Sequence, residues 1–177
     1  MKSKVKTILQ SEEPVLREIA KEVDLKNIKT PKVVKMLKDM SEALDSQYDG
    51  VAIAAPQIGY SYRIFLVSGK IFEKSFIRGK KTENTEHVKN LVFINPVITK
   101  LSKEKDWVPE GCLSVRPVYG KTYRAKKATV EAYDEEGNKF SRGGSGLLAQ
   151  IFQHETDHLN GILFIDHAKE LRIEDLP

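Results

Sequence analysis

The segment from Gln150 to Gly161 constrains this chain more than any other, because it contains the pattern His-Glu-x-x-His at His154, Glu155 and His158. Residues four apart lie on one face of an α-helix, so the two imidazoles would point the same way and could bind one divalent metal. Glu155 would lie about 100° around the helix axis, beside that metal. The pattern therefore predicts a metal site with a carboxylate base next to it.

The residues around this pattern favour a helix. One stripe at helical spacing consists of Leu147, Ile151, His154 and His158. Asn160 and Gly161 then provide a signal for the C-terminal end of the helix. The alternative is a partly buried helix whose histidines are only hydrogen-bonded. Two of the chain's four histidines occupy this spacing with a glutamate after the first, which favours metal binding.

A catalytic metal of this kind needs a third protein ligand and an open position. The longer pattern His-Glu-x-x-His-x-x-Gly-x-x-His would place the ligand at Phe164, which cannot bind a metal, so a metzincin protease is excluded. Asp166 and Glu174 follow at spacings that a metallopeptidase could use, and nothing in the sequence favours either. Cys112 is the better candidate, because Gly111 would allow a tight turn at this single cysteine.

Length and composition predict a single catalytic domain, residues 1–177, in the cytoplasm. The chain is long enough to bury a core, and its one cysteine excludes an internal disulfide. No segment approaches the roughly 20 apolar residues of a membrane span, so no membrane partner is expected. The net charge of +4 permits attraction to nucleic acid, but 25 acidic residues are interspersed with 29 basic ones, as on an ordinary solubilising surface.

Hydrophobic periodicity predicts a first helix from about 31 to 46, with Thr30 as its N-cap. Short apolar runs predict buried strands at residues 62–67 and 91–94, and alternation predicts a strand at residues 122–134. The strand at 91–94 would end at Asn95-Pro96. The stretch 68–90 is polar and predicts a solvated hairpin or loop.

Three stretches together resemble the three signature motifs of bacterial peptide deformylase, in order and in spacing. They are Gly50 to Gly59 (GVAIAAPQIG), Glu110 to Ser114 (EGCLS) and Gln153 to Leu159 (QHETDHL). The resemblance extends from about residue 6 to residue 168. It implies an α+β fold of antiparallel strands packed around a central metal-binding helix. It also implies removal of the N-formyl group from the N-terminal formyl-methionine of newly synthesised proteins, with release of formate.

The resemblance implies a role for each matching residue. The expected metal ligands are Cys112, His154 and His158. Glu155 would act as general base and acid, while the Gln57 side chain and the Leu113 backbone N–H would stabilise the developing oxyanion. The residues expected to contact the substrate are Val51, Ala52, Val108, Glu110, Leu147 and Ile151.

The same resemblance implies one divalent metal per chain, with Fe(II) as the native ion. Zn, Ni and Co remain alternatives, because a thiolate and two imidazoles suit all of them. The expected partners are N-formylmethionyl nascent peptides, without sequence-specific nucleic acid. Many family members contact the ribosome through a basic C-terminal helix. Here Lys169 and Arg172 are mixed with three acidic residues in the tail, so at most a weak ribosome contact is expected.

Three departures from the family pattern limit how far the family's residue roles can be assigned to this chain. The family usually has Gly at Ala52 and a bulky apolar residue at Thr156, and many members have Arg near Tyr119. The alternatives are a noncatalytic metal-binding homologue that holds peptide N-termini and a His-Glu-x-x-His metallopeptidase. The intact Glu155 argues against the first, and Phe164 argues against the second.

Overall fold

The computed structural model describes residues 5–73, 76 and 88–174, which form α-helices, short 3-10 helices and antiparallel strands. The α-helices whose bounds lie within the described residues are α1 (Pro31–Asp45) and α2 (Leu147–Leu159). The strands are β1 (Ala52–Ala54), β2 (Ile64–Val67), β3 (Leu91–Leu101), β4 (Lys105–Gly111), β5 (Val118–Ala125), β6 (Lys127–Tyr133), β7 (Lys139–Ser145) and β8 (Lys169–Ile173). This is the α+β class predicted from the sequence.

The strands form two sheets in which every described pairing is antiparallel. The larger sheet has the order β1-β2-β3-β6-β7, and the smaller has the order β4-β5-β8. Strands β1 and β4 are therefore edge strands, and no strand among the described residues pairs with the outer side of either. Both edges border the cavity described below.

Helix α2 packs its apolar face against the larger sheet. Phe152 is fully buried, and its ring centroid lies 5.3 Å from that of Phe93 in an edge-to-face arrangement. Phe93 in turn stacks on Phe65 with centroids 4.6 Å apart. Aromatic pairs of this kind contribute about 0.5–1.5 kcal/mol beyond their buried area. The helix that carries the two histidines is thus held by a buried aromatic cluster in the core.

Gln153 attaches the same helix to the smaller sheet. Its Oε1 accepts a hydrogen bond from Ala125 N at 2.9 Å, and its Nε2 donates to Ala125 O at 3.0 Å. The amide therefore pairs with the last residue of β5 as a neighbouring strand would. Because Gln153 directly precedes His154, this contact fixes the histidines relative to β4 and β5.

Helix α2 ends where the sequence predicts. Asn160 is the C-cap, and Gly161 has a φ of +73°. A Cβ at position 161 would lie 2.5 Å from the carbonyl oxygen of Arg17, so the turn requires glycine for both conformation and space.

Helix α1 packs on the opposite side of the larger sheet and is one residue shorter than predicted. Met36, Met40 and Leu44 are each no more than 1% exposed and pack in one cluster with residues of β1 and β2. Thr30 is the N-cap residue, but its side chain does not cap the helix. Its Oγ1 instead donates to Asn27 O at 2.7 Å, which closes the preceding turn.

The predicted end of a strand at Asn95-Pro96 is wrong, because β3 continues to Leu101. The register of β3 against β6 shifts between Ile94 and Val97, so the proline lies in a bulge and leaves no ladder hydrogen bond unmade. Asn95 adopts a positive φ of 49°, and its side-chain amide pairs with the backbone of Val23 through two 2.8 Å hydrogen bonds.

The single strand predicted for residues 122–134 is also wrong, because the chain changes sheets within it. Strand β5 ends at Ala125 in the smaller sheet, and β6 begins at Lys127 in the larger one. Lys126 N donates to Glu104 O at 3.0 Å, and Lys126 O accepts from Gly146 N at 3.2 Å. Residues on both sides of the break alternate regularly, so periodicity does not reveal it.

Much of the polar stretch 68–90 lies outside the described residues, and so does the loop predicted there. Its described part includes a 3-10 helix at Gly69–Phe72. Among the described residues, no helix combines the length and apolar character that crossing a membrane requires.

Candidate metal centre

The structure brings the three expected ligands together from two distant parts of the chain. Cys112 lies directly after β4, and His154 and His158 lie one turn apart on α2. One ligand atom from each residue can be chosen so that all three lie within 4.8 Å of one another. The Cys112 Sγ lies 3.2 Å from His158 Nε2. One sulfur and two imidazole nitrogens form a donor set that fits a divalent transition metal with an open fourth position.

Hydrogen bonds determine which ring nitrogens can face a metal. His154 Nδ1 lies 2.7 Å from Glu110 Oε1, and because a carboxylate accepts, the ring donates there and leaves Nε2 for the metal. His158 Nε2 faces Cys112, whereas its buried Nδ1 has no hydrogen-bond partner among the described residues. Both rings therefore direct Nε2 towards the same space.

The protonation of the two histidines differs. Burial opposes a charge on His154, but hydrogen bonds to Cys112 and Glu110 raise its pKa well above the usual value. Burial and the neighbouring His154 lower the pKa of His158 well below the usual value. A neutral imidazole is the form that binds metals, so His158 is ready to bind, and His154 would release a proton on binding.

Glu110 lies behind His154. Its Oε2 accepts hydrogen bonds from Thr122 Oγ1 at 2.7 Å and from Gln150 Nε2 at 3.1 Å, and its Oε1 accepts from Arg124 Nη2 at 2.6 Å. Burial would raise the pKa of Glu110, but the hydrogen bonds from His154 and Arg124 hold it well below the usual value. Glu110 lines the cavity, yet protein donors occupy both carboxylate oxygens. The geometry therefore favours orientation of His154 over the predicted substrate contact.

Arg124 connects this carboxylate to a second one on α2. Its Nη1 lies 2.6 Å from Asp157 Oδ2, and its side chain is 7% exposed. His167 Nε2 lies 3.4 Å from the same Asp157 oxygen. Arg124 thus holds β4, β5 and α2 together behind the metal ligands.

Replacing Arg124 with leucine should lower the free energy of unfolding by about 3–5 kcal/mol, because Glu110 and Asp157 would lose a buried partner. Urea unfolding of the metal-free protein at neutral pH measures this loss. Arg17→Gln is the matched control, since Arg17 and Asp166 form an ion pair whose side chains are 43% and 38% exposed. Arg17→Gln should lower the free energy of unfolding by at most about 1 kcal/mol. Equal, small losses in both variants would contradict the role assigned to Arg124.

Glu155 lies on the cavity wall next to the first histidine. It is 4% exposed, and its Oε2 has no hydrogen-bond partner among the described residues. Burial raises its pKa to about 7; Glu110 and Asp157 add to the rise and His154 opposes it. A carboxylate that titrates near neutral pH can accept a proton and return it in one reaction cycle.

Gln57 and Leu113 lie next to Cys112, the first through its side chain and the second through the chain itself. Gln57 is 2% exposed; its Oε1 accepts from Ala54 N at 2.8 Å, which directs Nε2 towards Ser114 Oγ at 3.1 Å and Cys112 Sγ at 3.6 Å. The Leu113 carbonyl accepts from Gln10 Nε2 at 3.1 Å, which fixes the orientation of the backbone after Cys112. Both residues line the same cavity as Glu155.

The cavity has a volume of about 480 Å³ and lies between the edges of β1 and β4. Four of the predicted substrate contacts besides Glu110 line it, namely Val51, Ala52, Leu147 and Ile151. Val108 is not among the described lining residues, because it lies two positions before Glu110 on β4, further from the cavity. Sequence reasoning missed Asp49 and Arg116, which line the cavity from two loops. Isolated charges in loops carry no periodicity or motif by which to find them.

Comparison with known proteins gives one consistent family. The sequence model described as "Polypeptide deformylase" matches residues 5–174. A peptide deformylase from Carboxydothermus hydrogenoformans is 40% identical over 164 residues, which cover 93% of each chain. Peptide deformylase 2 from Clostridium acetobutylicum is 38% identical over 166 residues, which cover 94% of this chain and 97% of that relative.

Solved structures agree with these sequence matches. A peptide deformylase from Synechococcus elongatus in complex with actinonin superposes with a TM-score of 0.79 at 30% identity, covering 95% of this chain and 81% of that one. A Met-Ala-Ser-bound class I type b peptide deformylase from Acinetobacter baumannii has the same TM-score and identity, covering 93% and 99% of the respective chains.

Proposed function

Because the chain belongs to the polypeptide deformylase family and removes the N-formyl group from newly synthesised peptides, we propose that Cys112, His154 and His158 bind its divalent metal and that Glu155 transfers the protons. The observation that supports this assignment most strongly is the convergence of the three ligand atoms within 4.8 Å, beside a buried carboxylate with one oxygen that no described residue contacts by a hydrogen bond. Both sheets and α2 contribute to this one site, which supports a single catalytic domain.

Amide hydrolysis at neutral pH needs a strong nucleophile and a stabilised oxyanion. When bound, a divalent metal polarises a carbonyl oxygen and lowers the pKa of water from 15.7 to roughly 7. Glu155 accepts the proton of the water that attacks the formyl carbon. It then delivers that proton to the leaving nitrogen as the C–N bond breaks, which yields formate and a free amino terminus.

Gln57 and Leu113 favour the transition state over the substrate. As water adds, the formyl oxygen gains negative charge, and a donor directed at that position stabilises it. The Nε2 of Gln57 is oriented by the Ala54 N–H, and the peptide plane that carries the Leu113 N–H is held by the bond from Val115 N to Cys112 O at 3.1 Å. Loss of one such donor typically costs about 10²–10³ in kcat.

The cavity suits a methionine side chain. Val51, Leu147 and Ile151 offer an apolar wall, and an unbranched thioether can adapt to it with little strain. The peptide after the methionine would continue between the free edges of β1 and β4, pairing as an added strand does. Glu110 and Gln150 lie at the border of this space.

We propose Fe(II) as the native metal, with Zn, Ni and Co as ions that the same ligands would bind. A thiolate with two imidazoles suits each of these ions, and Glu110 increases the basicity of His154 for any of them. We further propose a cytoplasmic enzyme that acts without sequence-specific nucleic acid and has at most a weak ribosome contact. Strand β8 contains Lys169 and Arg172 together with Glu170, and Glu174 follows it directly.

The function is tested with formyl-Met-Ala-Ser and protein prepared anaerobically with Fe(II), or with Ni(II). We expect formate and Met-Ala-Ser in equal amounts, measured by a formate-coupled assay and by mass spectrometry. Cleavage of a peptide bond without formate would instead indicate a metallopeptidase. Binding of the peptide without turnover would indicate a noncatalytic homologue.

Ala52→Gly should lower KM for formyl-Met-Ala-Ser while kcat stays unchanged, because the substitution removes a methyl group from the path of the peptide backbone. Ala52 is the first residue of β1, is 7% exposed and lines the cavity, so its methyl narrows the approach of the peptide backbone. If the methyl group weakens the binding of substrate and transition state equally, it raises KM and leaves kcat unchanged.

The KM for the dipeptide formyl-Met-Ala should fall less than the KM for the tripeptide. A peptide-like hydroxamate should bind more tightly to the Ala52→Gly variant than to the wild type. Unchanged KM for both peptides, together with unchanged hydroxamate affinity, would show that Ala52 does not restrict the cavity.

A further inference from the structure

We propose that the ion pair between Asp49 and Arg116 sets the width of the outer end of the cavity, and with it the affinity for the residues that follow the formyl-methionine. Arg116 Nη2 lies 2.6 Å from Asp49 Oδ1, and the two side chains are 22% and 30% exposed. Both residues line the cavity. The inference rests on the deformylase function proposed above.

This ion pair joins loops that belong to different sheets. Asp49 lies between α1 and β1, directly before the cavity residues Gly50 and Val51. Arg116 lies between β4 and β5, four residues after Cys112. Strand β1 is an edge of the larger sheet and β4 is an edge of the smaller one. The bond from Asp49 to Arg116 therefore spans the cavity from one sheet to the other.

The inner end of the cavity is held by a different contact. Gln57 Nε2 donates to Ser114 Oγ at 3.1 Å, and these two residues are 2% and 0% exposed. The groups around the reacting carbonyl are thus fixed by a buried hydrogen bond, whereas the outer end is closed by a partly exposed ion pair. Breaking the ion pair should widen the outer end and leave the catalytic groups in place.

The width of the outer end of the cavity should affect only substrates long enough to reach it. An extended chain advances about 3.3 Å per residue, so the third residue of a peptide lies roughly 7 Å beyond the methionine. Pairing with a sheet edge requires strands about 4.7–4.9 Å apart, and a peptide between two edges must satisfy both. A wider outer end would therefore weaken the binding of the third residue more than that of the first.

The test compares Asp49→Asn, Arg116→Gln, the double variant and the charge swap Asp49→Arg/Arg116→Asp, all metal-loaded. KM and kcat are measured for formyl-Met-Ala and formyl-Met-Ala-Ser, and the affinity for Met-Ala-Ser is measured by calorimetry. Each single variant should raise the tripeptide KM and weaken Met-Ala-Ser binding about two- to fivefold, the range for partly exposed ion pairs. The double variant should be no worse than either single one, and the swap should recover part of the affinity.

Values of kcat and the KM for formyl-Met-Ala should remain at wild-type level. Arg17→Gln, which breaks a comparable surface ion pair with Asp166 away from the cavity, should change neither peptide affinity. An effect of Arg116→Gln without one of Asp49→Asn would overturn the proposal in favour of a direct contact between Arg116 and substrate. Equal effects on both peptides, or none, would also overturn it. Absence of formate release by the wild type would count against the function, while the Met-Ala-Ser affinities would still decide the role of the pair.

Discussion

Glu155→Ala should lower kcat for formate release by about 10²- to 10⁴-fold while the protein retains its metal. Glu155 lines the cavity with a buried carboxylate oxygen that has no hydrogen-bond partner among the described residues. Burial raises its pKa to about 7, where proton transfer in both directions is efficient. It is not one of the three converging ligands, so its removal should leave metal binding intact.

The measurement combines single-turnover formate release with metal analysis of the same sample. Glu155→Gln is the matched control for shape, because it preserves the size and polarity of the side chain but cannot take the proton. Both variants should lose activity to a similar extent. Near-wild-type turnover by a fully metallated Glu155→Ala protein would remove Glu155 from the mechanism.

Cys112→Ser should lose metal binding, because a serine hydroxyl is a poor replacement for a thiolate ligand. We expect its metal affinity to fall by more than the roughly 10- to 100-fold that loss of an outer hydrogen-bond partner costs. Competition with a chromogenic chelator measures this affinity.

Ser114→Ala is the control for the cysteine variant. Ser114 approaches Cys112 Sγ through its backbone N–H at 3.4 Å, and that contact survives the substitution. The control should therefore keep its metal. Full and tight occupancy in Cys112→Ser would exclude Cys112 as a ligand.

The helix and its two histidines could be predicted because one local rule governs them. Spacing by four residues places His154 and His158 on one face of the helix. Gly161 follows the C-cap with a positive φ, and the local sequence alone predicts this helix end. Cys112 required more, since it lies 42 positions before His154, and the adjacent Gly111 and the EGCLS motif distinguished it from a buried cysteine.

The features that the sequence did not reveal depend on tertiary contacts. The switch of sheets at Lys126 follows from hydrogen bonds to Glu104 and Gly146, which lie more than 15 residues away on either side. Glu110 faces His154 because Arg124 and Thr122 on the neighbouring strand hold it there. Neither partner can be identified from the pattern of a single strand.

The central claim is that formyl removal depends on one divalent metal held at Cys112, His154 and His158. Metal-free protein titrated anaerobically with Fe(II), with bound metal and formate release measured on the same samples, tests it most directly. Activity should rise in proportion to bound metal and reach its plateau at one ion per chain, and the Cys112→Ser protein should show neither. Formate release by the metal-free protein, or saturated metal binding at these ligands without activity on formyl-Met-Ala-Ser, would contradict the claim.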